Sequence, residues 1–215
     1  MICWCLLSCA HQYAMADENT AALDLFLKDL ESYQADFMQT LSSEQGETLE
    51  ISTGKVYMQN PGRYRWEYEQ PYVQLLITDS ETLWIYDKDL EQVTIKNVAG
   101  AIDTTPAAII SGKQNISELY VVNNMGVIDG FDWLELIPRD IESQYRSIRL
   151  GFDDNKLITM IMNDNLGQMT RIDFLKPERN KRFGGPLFTF AMPAGVDVID
   201  ERQLQKNKAL GTPIE

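Results

Sequence analysis

The sequence predicts a mainly β domain, a curled antiparallel sheet of roughly ten strands with short helices over its concave side. Three observations carry this. Segments of strand-forming residues with a period of two follow one another from Thr48 onward. The breaks between them carry turn chemistry and are too short for βαβ crossovers, which favours antiparallel neighbours. Helical spacing is confined to a few short stretches, and a sheet with this many strands curls or closes instead of staying flat.

One helix is expected at residues 20–32, where Leu23, Phe26, Leu27 and Leu30 recur at helical spacing and Asp17, Asn19 or Thr20 is placed to cap the start. From Tyr33 the period changes to two. Tyr33, Ala35, Phe37, Gln39 and Leu41 alternate with Gln34, Asp36, Met38 and Thr40, so the helix runs into a strand. Strands are expected at 48–59, 63–69, 72–78, 82–87 and 91–96, separated by Asn60-Pro61-Gly62, Gln70-Pro71, Asp79-Ser80 and Asp87-Lys88-Asp89. Residues 103–112 read as a compact apolar helix with Thr104 or Thr105 at its cap, Pro106 in its first turn and Gly112 at its end. A second short helix is placed at 116–122. The sheet resumes at 131–138, 145–152, 156–163, 168–176 and 187–192, with hairpin turns at Asp153-Asp154-Asn155 and Asp164-Asn165-Leu166-Gly167.

Length and composition bound the possibilities. The 215 residues suit one domain with a sizeable core, and 24% charged with 44% hydrophobic residues is a globular composition. A formal net charge of −13 repels phosphate backbones and anionic headgroups, which excludes nucleic acid as a partner and favours a basic protein patch. Residues 1–16 contain no Asp, Glu, Lys or Arg, and an apolar stretch around Leu6-Leu7 is followed by Ala14-Met15-Ala16. That pattern reads as a secretory signal with an A-x-A cleavage site. A basic n-region is missing, so the translation start is expected upstream of Met1. Two other readings stand beside it: a buried N-terminal strand, and a lipid-attachment site at Cys9 preceded by Leu6-Leu7-Ser8.

Cleavage after Ala16 removes Cys3, Cys5, Cys9 and His11, which are all the cysteines and the only histidine. The domain at 17–200, followed by a polar tail at 201–215, then has no disulfide, no Cys or His metal site, no Cys nucleophile and no Ser-His-Asp triad. Neither G-x-S-x-G, a phosphate-binding P-loop, H-E-x-x-H nor G-x-G-x-x-G occurs. Carboxylate pairs such as Glu67 with Glu69 and Asp87 with Asp89 suit a solvated acidic surface. No enzymatic activity, cofactor or metal is expected.

The apolar faces say more. Tyr64, Trp66 and Tyr68 share one face of their strand and Arg63, Arg65 and Glu67 the other; Val73, Leu75 and Ile77 line up in the same way. The stretches Leu83-Trp84-Ile85-Tyr86 and Leu157 to Met162 are apolar on both faces and need cover on both. Nine methionines, Met160 and Met162 among them, add adaptable apolar surface. Short helices over such a sheet build either an ordinary packed core or an apolar cavity that opens.

The stretch Gly54-Lys55-Val56-Tyr57-Met58-Gln59-Asn60-Pro61-Gly62-Arg63-Tyr64-Arg65-Trp66 resembles the periplasmic outer-membrane lipoprotein carriers, the LolA family. So do Thr78 to Asp87 with Leu90-Glu91-Gln92-Val93-Thr94, and the pieces Phe37-Met38-Gln39, Thr105-Pro106 and Phe188 to Val196 fall in the family's order. The resemblance covers nearly the whole chain after residue 16, and its L-W-x-Y-D…L-E-Q-V string is its most specific part. It implies an unclosed, half β-barrel under a helical lid. It also implies a monomeric periplasmic carrier that takes acylated lipoproteins from an inner-membrane ABC transporter to an outer-membrane receptor. Candidate acyl contacts are Tyr64, Trp66, Trp84, Ile109, Ile110, Met160 and Met162. The resemblance also implies that the position before the proline of the Pro-Gly loop, basic in many family members, helps hold the lid closed; Asn60 stands there here. Arg63 and Arg65 lie nearby, pointing away from the cavity by alternation. Two other classes remain: a lipid-anchored acceptor or sensor module of similar fold, and a carboxylate hydrolase. Replacing Trp66 or Ile110 by Glu is expected to abolish cargo binding without unfolding the chain.

Overall fold

A computed structural model describes residues 20–98 and 116–202. The signal at 1–16, the helix at 103–112 and all but the start of the tail lie outside the described residues. The elements are α1 (Ala21–Leu27), β1 (Ser32–Ser42), β2 (Thr48–Gln59), β3 (Arg63–Gln70), β4 (Gln74–Asp79), β5 (Thr82–Asp87) and β6 (Gln92–Asn97), then α2 (Ile116–Leu119), β7 (Tyr120–Ile128), β8 (Phe131–Pro138), β9 (Tyr145–Asp153), β10 (Lys156–Asp164) and β11 (Met169–Arg179). A 3-10 turn (Gly185–Phe188) and β12 (Asp197–Asp200) follow.

The strands form one 12-stranded sheet in the order β12-β6-β5-β4-β3-β2-β1-β11-β10-β9-β8-β7. Two antiparallel meanders, β1–β6 and β7–β11, are thus joined where β1 pairs with β11, and β12 adds itself parallel to β6. The sheet is open and curled: β7 and β12 are its edges. Two-residue connections set much of the register. Asp154 (φ 44°) and Asn155 (φ 59°) close the β9–β10 hairpin, and Asp129 (φ 53°) with Gly130 (φ 85°) closes β7–β8, both with the left-handed backbone that tight hairpins require.

Three sequence expectations are corrected. The helix at 20–32 ends at Leu27, because Lys28 is already extended and Asp29 turns left-handed (φ 53°). The helix at 116–122 stops at Leu119, and the chain continues as β7, whose partner β8 outweighs a helix of two turns. Residues 187–192 are not a strand; Pro186 fits the start of a 3-10 turn, and the chain after it lies across the sheet.

The α1–β1 corner is tied to the end of β11. Arg179 donates from Nη2 to the carbonyls of Phe26 (2.8 Å) and Lys28 (2.9 Å). Asn180 accepts from the Glu31 and Ser32 amides and donates to the Asp29 carbonyl. These contacts satisfy backbone groups that a helix end leaves unpaired.

Register puts the core on one face. Val56, Trp66, Leu76 and Ile85 lie opposite one another across β2–β5, and Leu134, Leu150, Met160 and Ile172 do so across β8–β11. The two halves meet through Phe37 and Phe174 on the central strands, and α1 adds Leu23 and Phe26 to the same cluster. Gly54 on β2 is required by this packing: a methyl there would collide with the Glu67 carbonyl oxygen and meet the Phe37 ring at 2.9 Å. Gly54→Ala is therefore expected to destabilise the fold by about 2 kcal/mol or more, read as a lowered midpoint in thermal or urea unfolding.

Candidate functional site

The floor of the concave face is aromatic along its centre. Phe37 packs against Trp66 with ring centroids 4.9 Å apart and edge-on to Tyr68 at 5.1 Å; Phe174 meets Trp66 at 6.1 Å and Tyr33 at 6.0 Å. Phe26 of α1 closes the row against Tyr33 at 5.8 Å. Such offset and edge-to-face pairs add to the burial of the rings themselves. Tyr33 is wholly buried, and its hydroxyl donates to the Leu157 carbonyl at 2.8 Å. The polar tip is paired inside an apolar surround, as burial requires.

Toward one end this floor turns polar. Gln39, Ser52, Gln74 and Asp87 continue the rows of Phe37, Gly54, Leu76 and Ile85 on β1, β2, β4 and β5. With Glu50, Tyr68 and Tyr72 they line a groove of about 440 Å³. The Tyr68 hydroxyl marks the border, donating to Gln39 Oε1 at 3.0 Å. A second recess, of about 350 Å³, is lined by Tyr145, Met162, Asn165 and Thr170 on the β9–β11 side.

Of the residues selected from sequence, Tyr64, Trp66, Met160 and Met162 come together in the concave cluster, each 3% exposed or less. Trp84 does not join them. It lies opposite Ile77 on β4 and Ile95 on β6, on the convex face, where Phe190 stacks on it at 5.9 Å and 19°. Its strand is apolar on both faces, so alternation within the strand gave parity but not side. The chain from the 3-10 turn onward is the second cover that this strand needs. Ile109 and Ile110 lie outside the described residues.

The loop candidates also separate. Asn60 is half-buried and donates from Nδ2 to the Leu30 carbonyl at 2.6 Å, while its amide donates to the Glu31 carbonyl. Arg63 is exposed, and Arg65 is spent on the convex face between Glu67 and the Leu187 carbonyl. Phe37, Met58 and Phe174 are floor residues absent from the sequence selection; the clean alternation of β1 and β2 is the signal that finds them. Trp66, 1% exposed and packed against Phe37, cannot accept a carboxylate without loss of the core, so Trp66→Glu is expected to unfold the chain and not merely to block binding.

Open sheets of this kind form a recognisable class. The fold is similar to the crystal structure of an uncharacterized conserved protein from Thermus thermophilus, with a TM-score of 0.56, 13% identity, and coverage of 84% of this chain and 98% of that one. It is also similar to MucB, with a TM-score of 0.51 and 16% identity over 86% of this chain and 66% of that one. At such identities the likeness concerns the fold alone. Sequence similarity goes further. Residues 28–191 match the family described as outer membrane lipoprotein carrier protein LolA. The outer-membrane lipoprotein carrier protein of Methylococcus capsulatus is 35% identical over 94% of this chain and 95% of its own length. That of Chromobacterium violaceum is 38% identical over 83% and 86%. The chain belongs to the LolA family of outer membrane lipoprotein carrier proteins, and its compartment is the periplasm.

Burial pushes the phenols of Tyr33 and Tyr68 well above their ordinary value of 10.0, for Tyr68 with a further contribution from nearby Tyr145. An unfolded chain loses these protons near pH 10, whereas the folded chain holds them. The stability tied to these groups is therefore complete below the unfolded value and falls as pH rises through it. Tyrosinate absorbance is expected to show these two residues ionising only together with alkaline unfolding, and Tyr68→Phe is expected to lessen the steepness of that pH dependence.

Proposed function

We propose that the concave face holds acyl chains of lipoproteins and that the chain, after removal of residues 1–16, carries them as a monomer from an inner-membrane ABC transporter to an outer-membrane receptor. One observation carries this reading. The floor that Tyr64, Trp66, Met160 and Met162 build with Phe37 and Phe174 is continuous and apolar across both meanders, and it gives way to polar groups toward the Gln39–Asp87 end. Family membership supplies the cargo class, since the relatives are named for carrying outer-membrane lipoproteins.

Magnitudes constrain how such a site works. Burying acyl chain returns ~0.8 kcal/mol per methylene. Two or three palmitoyl chains fully buried would exceed the practical ceiling of about 18–21 kcal/mol for non-covalent binding, and a carrier must release what it holds. The floor side chains are closed off in this conformation. Part of the gain is therefore consumed in separating the concave face from its cover, and the chains are only partly buried.

The test is isolation of the tagged protein from periplasm, followed by calorimetry with a palmitoylated peptide. Acylated protein is expected to co-purify and to be released by detergent. Binding of the peptide is expected to show a negative heat-capacity change with little dependence on salt. Trp84→Ala, on the convex face, is expected to leave the affinity unchanged within about twofold, because an apolar contact matters only where it is buried with the ligand. A protein that emerges without acylated cargo and ignores the peptide would end the reading.

A further inference from the structure

Beyond Phe37 and Trp66 the concave face runs into a groove whose lining carries charge of one sign. The groove, about 440 Å³, crosses β1 to β5, and its lining includes Glu50, Asp87 and Asp89 but no Lys or Arg. The eight ion pairs formed among the described residues all lie elsewhere. Two of the carboxylates are held in place. Glu50 Oε1 accepts the Ser52 hydroxyl at 2.7 Å, and Asp87 Oδ1 accepts the amides of Asp89 and Leu90 at 3.1 Å each. The three stand on β2, at the end of β5 and in the turn after it, and no three acidic groups among the described residues converge as a metal site does. Apolar surface stands beside them: Tyr72 is 63% exposed and Leu90 67%. Carboxylates next to a bare ring and bare aliphatic surface match a long cationic side chain, whose stem is apolar and whose head is charged. A second copy of this chain, at a net charge of −13, would bring more negative charge instead.

We propose that the groove seats the stretch of cargo polypeptide next to the acylated end and selects for lysine and arginine in it. The inference rests on the carrier reading and extends it from the lipid to the peptide. The groove continues the apolar floor: Gln39, Ser52 and Gln74 follow Phe37, Gly54 and Leu76 on the same face of their strands. At its other end the floor is covered by α1, whose Phe26 ring packs on Tyr33 and Phe152. A tail lying on the floor therefore has its polar remainder at the groove. Crossing five strands at about 4.8 Å per step covers about 19 Å, the length of roughly five or six extended residues. A short peptide segment spans such a groove, where a single side chain does not. An acidic segment would meet three carboxylates without a counter-charge, so the groove discriminates by repulsion as well as by attraction.

The experiment uses diacylglyceryl-cysteine peptides that share their palmitoyl chains and differ in the residues after the cysteine, which include several lysines, several glutamates or neither. An unacylated lysine peptide is the fourth probe. Calorimetry at low salt is expected to rank lysine above neutral above glutamate, with roughly tenfold between the extremes, since each exposed pair contributes little alone. High salt is expected to compress that order and leave the neutral peptide unmoved. Glu50→Gln with Asp89→Asn is expected to bring the lysine and glutamate peptides to within about twofold of each other. Glu81→Gln with Asp129→Asn, in turns at the opposite end of the sheet, removes the same charge and is expected to keep the preference. A nitroxide on the peptide near its cysteine gives a reading that needs no variant: it is expected to broaden the amide resonances of Lys88 to Leu90 and to spare Ser80 and Glu81. Equal affinity for the three acylated peptides overturns the inference and leaves the carrier reading standing. So does a preference that survives in the groove variant, one that is lost in the control variant as well, or a nitroxide that spares the turn after β5. An unacylated lysine peptide that binds as tightly as the acylated one assigns the groove to a separate basic protein and overturns the inference too. Failure of every acylated peptide to bind removes the carrier reading, and the inference with it.

Discussion

The structure depends on how one sheet keeps its apolar face from water with no second sheet to pack against. In a sandwich two inner faces share a core. Here twelve strands form a single layer, and the core exists only because the layer curls until its two meanders face each other. The central pair β1–β11 is where that curl is held. Phe37 and Phe174 lie opposite each other across it, and each reaches an aromatic ring of another strand or of the same row, Phe37 to Trp66 and Phe174 to Tyr33. Gly54 allows this approach by leaving room for the Phe37 ring beside the Glu67 carbonyl. Under the proposed carrier reading, the groups that stabilise the fold on the concave surface are the same groups that would hold an acyl tail.

Much of this was legible in the sequence, and the losses follow a pattern. Alternation along β1 and β3 separates Tyr33, Ala35 and Phe37, and Tyr64, Trp66 and Tyr68, from the charged residues between them, and the structure places both sets on the concave side. Along β5 the same period exists, but both faces are apolar. Whether Leu83 or Trp84 faces inward depends on its pairing with β4, which is a relation between strands and leaves no trace in either one alone. β7 was hidden for another reason. Its Asn123 and Asn124 resemble turn residues, and the Met125–Gly126 irregularity breaks its alternation against β8. The Asp129-Gly130 dipeptide after it was nevertheless a strong hairpin signal, and reading it would have turned the expected helix into the first strand of a pair. β12 could not be read, because it has four residues, pairs in parallel with β6, and owes its position to the chain laid across the convex face.

The convex face shows what becomes of an apolar surface that is not part of the site. Leu75 and Ile77 on β4, Trp84 and Tyr86 on β5, and Val93 and Ile95 on β6 share that face by register. Left bare, so large a patch would invite association. Phe190 lies over Trp84 and Tyr86, and the Leu187 carbonyl takes up the Arg65 guanidinium, so the chain after β11 covers the patch with its own side chains and fixes itself with a polar contact. Two apolar faces thus have two kinds of cover. The convex cover belongs to the same chain and is stacked ring on ring. The concave cover includes, among the described residues, the short helix α1, and Ile116 of α2 joins the same cluster.

How α1 is held separates the contacts an apolar ligand can replace from those it cannot. Its inward attachments are Leu23 and Phe26, buried in the concave cluster and non-directional. At its C-terminal end the attachments are polar and directed. Arg179 takes the Phe26 and Lys28 carbonyls with its guanidinium over the Phe26 ring at 5.8 Å, Asn180 takes the Asp29 carbonyl, and Asn60 takes the Leu30 carbonyl. An acyl chain offers carbon and can stand in for Leu23 or Phe26 at little net cost, because one apolar contact replaces another. It offers no donor to the carbonyls of residues 26–30, so under the proposed carrier reading it could not replace the bonds that hold the corner between α1 and β1. Asn60 belongs to that corner: its amide holds a carbonyl of the turn without a charge, and a guanidinium comes from the end of β11.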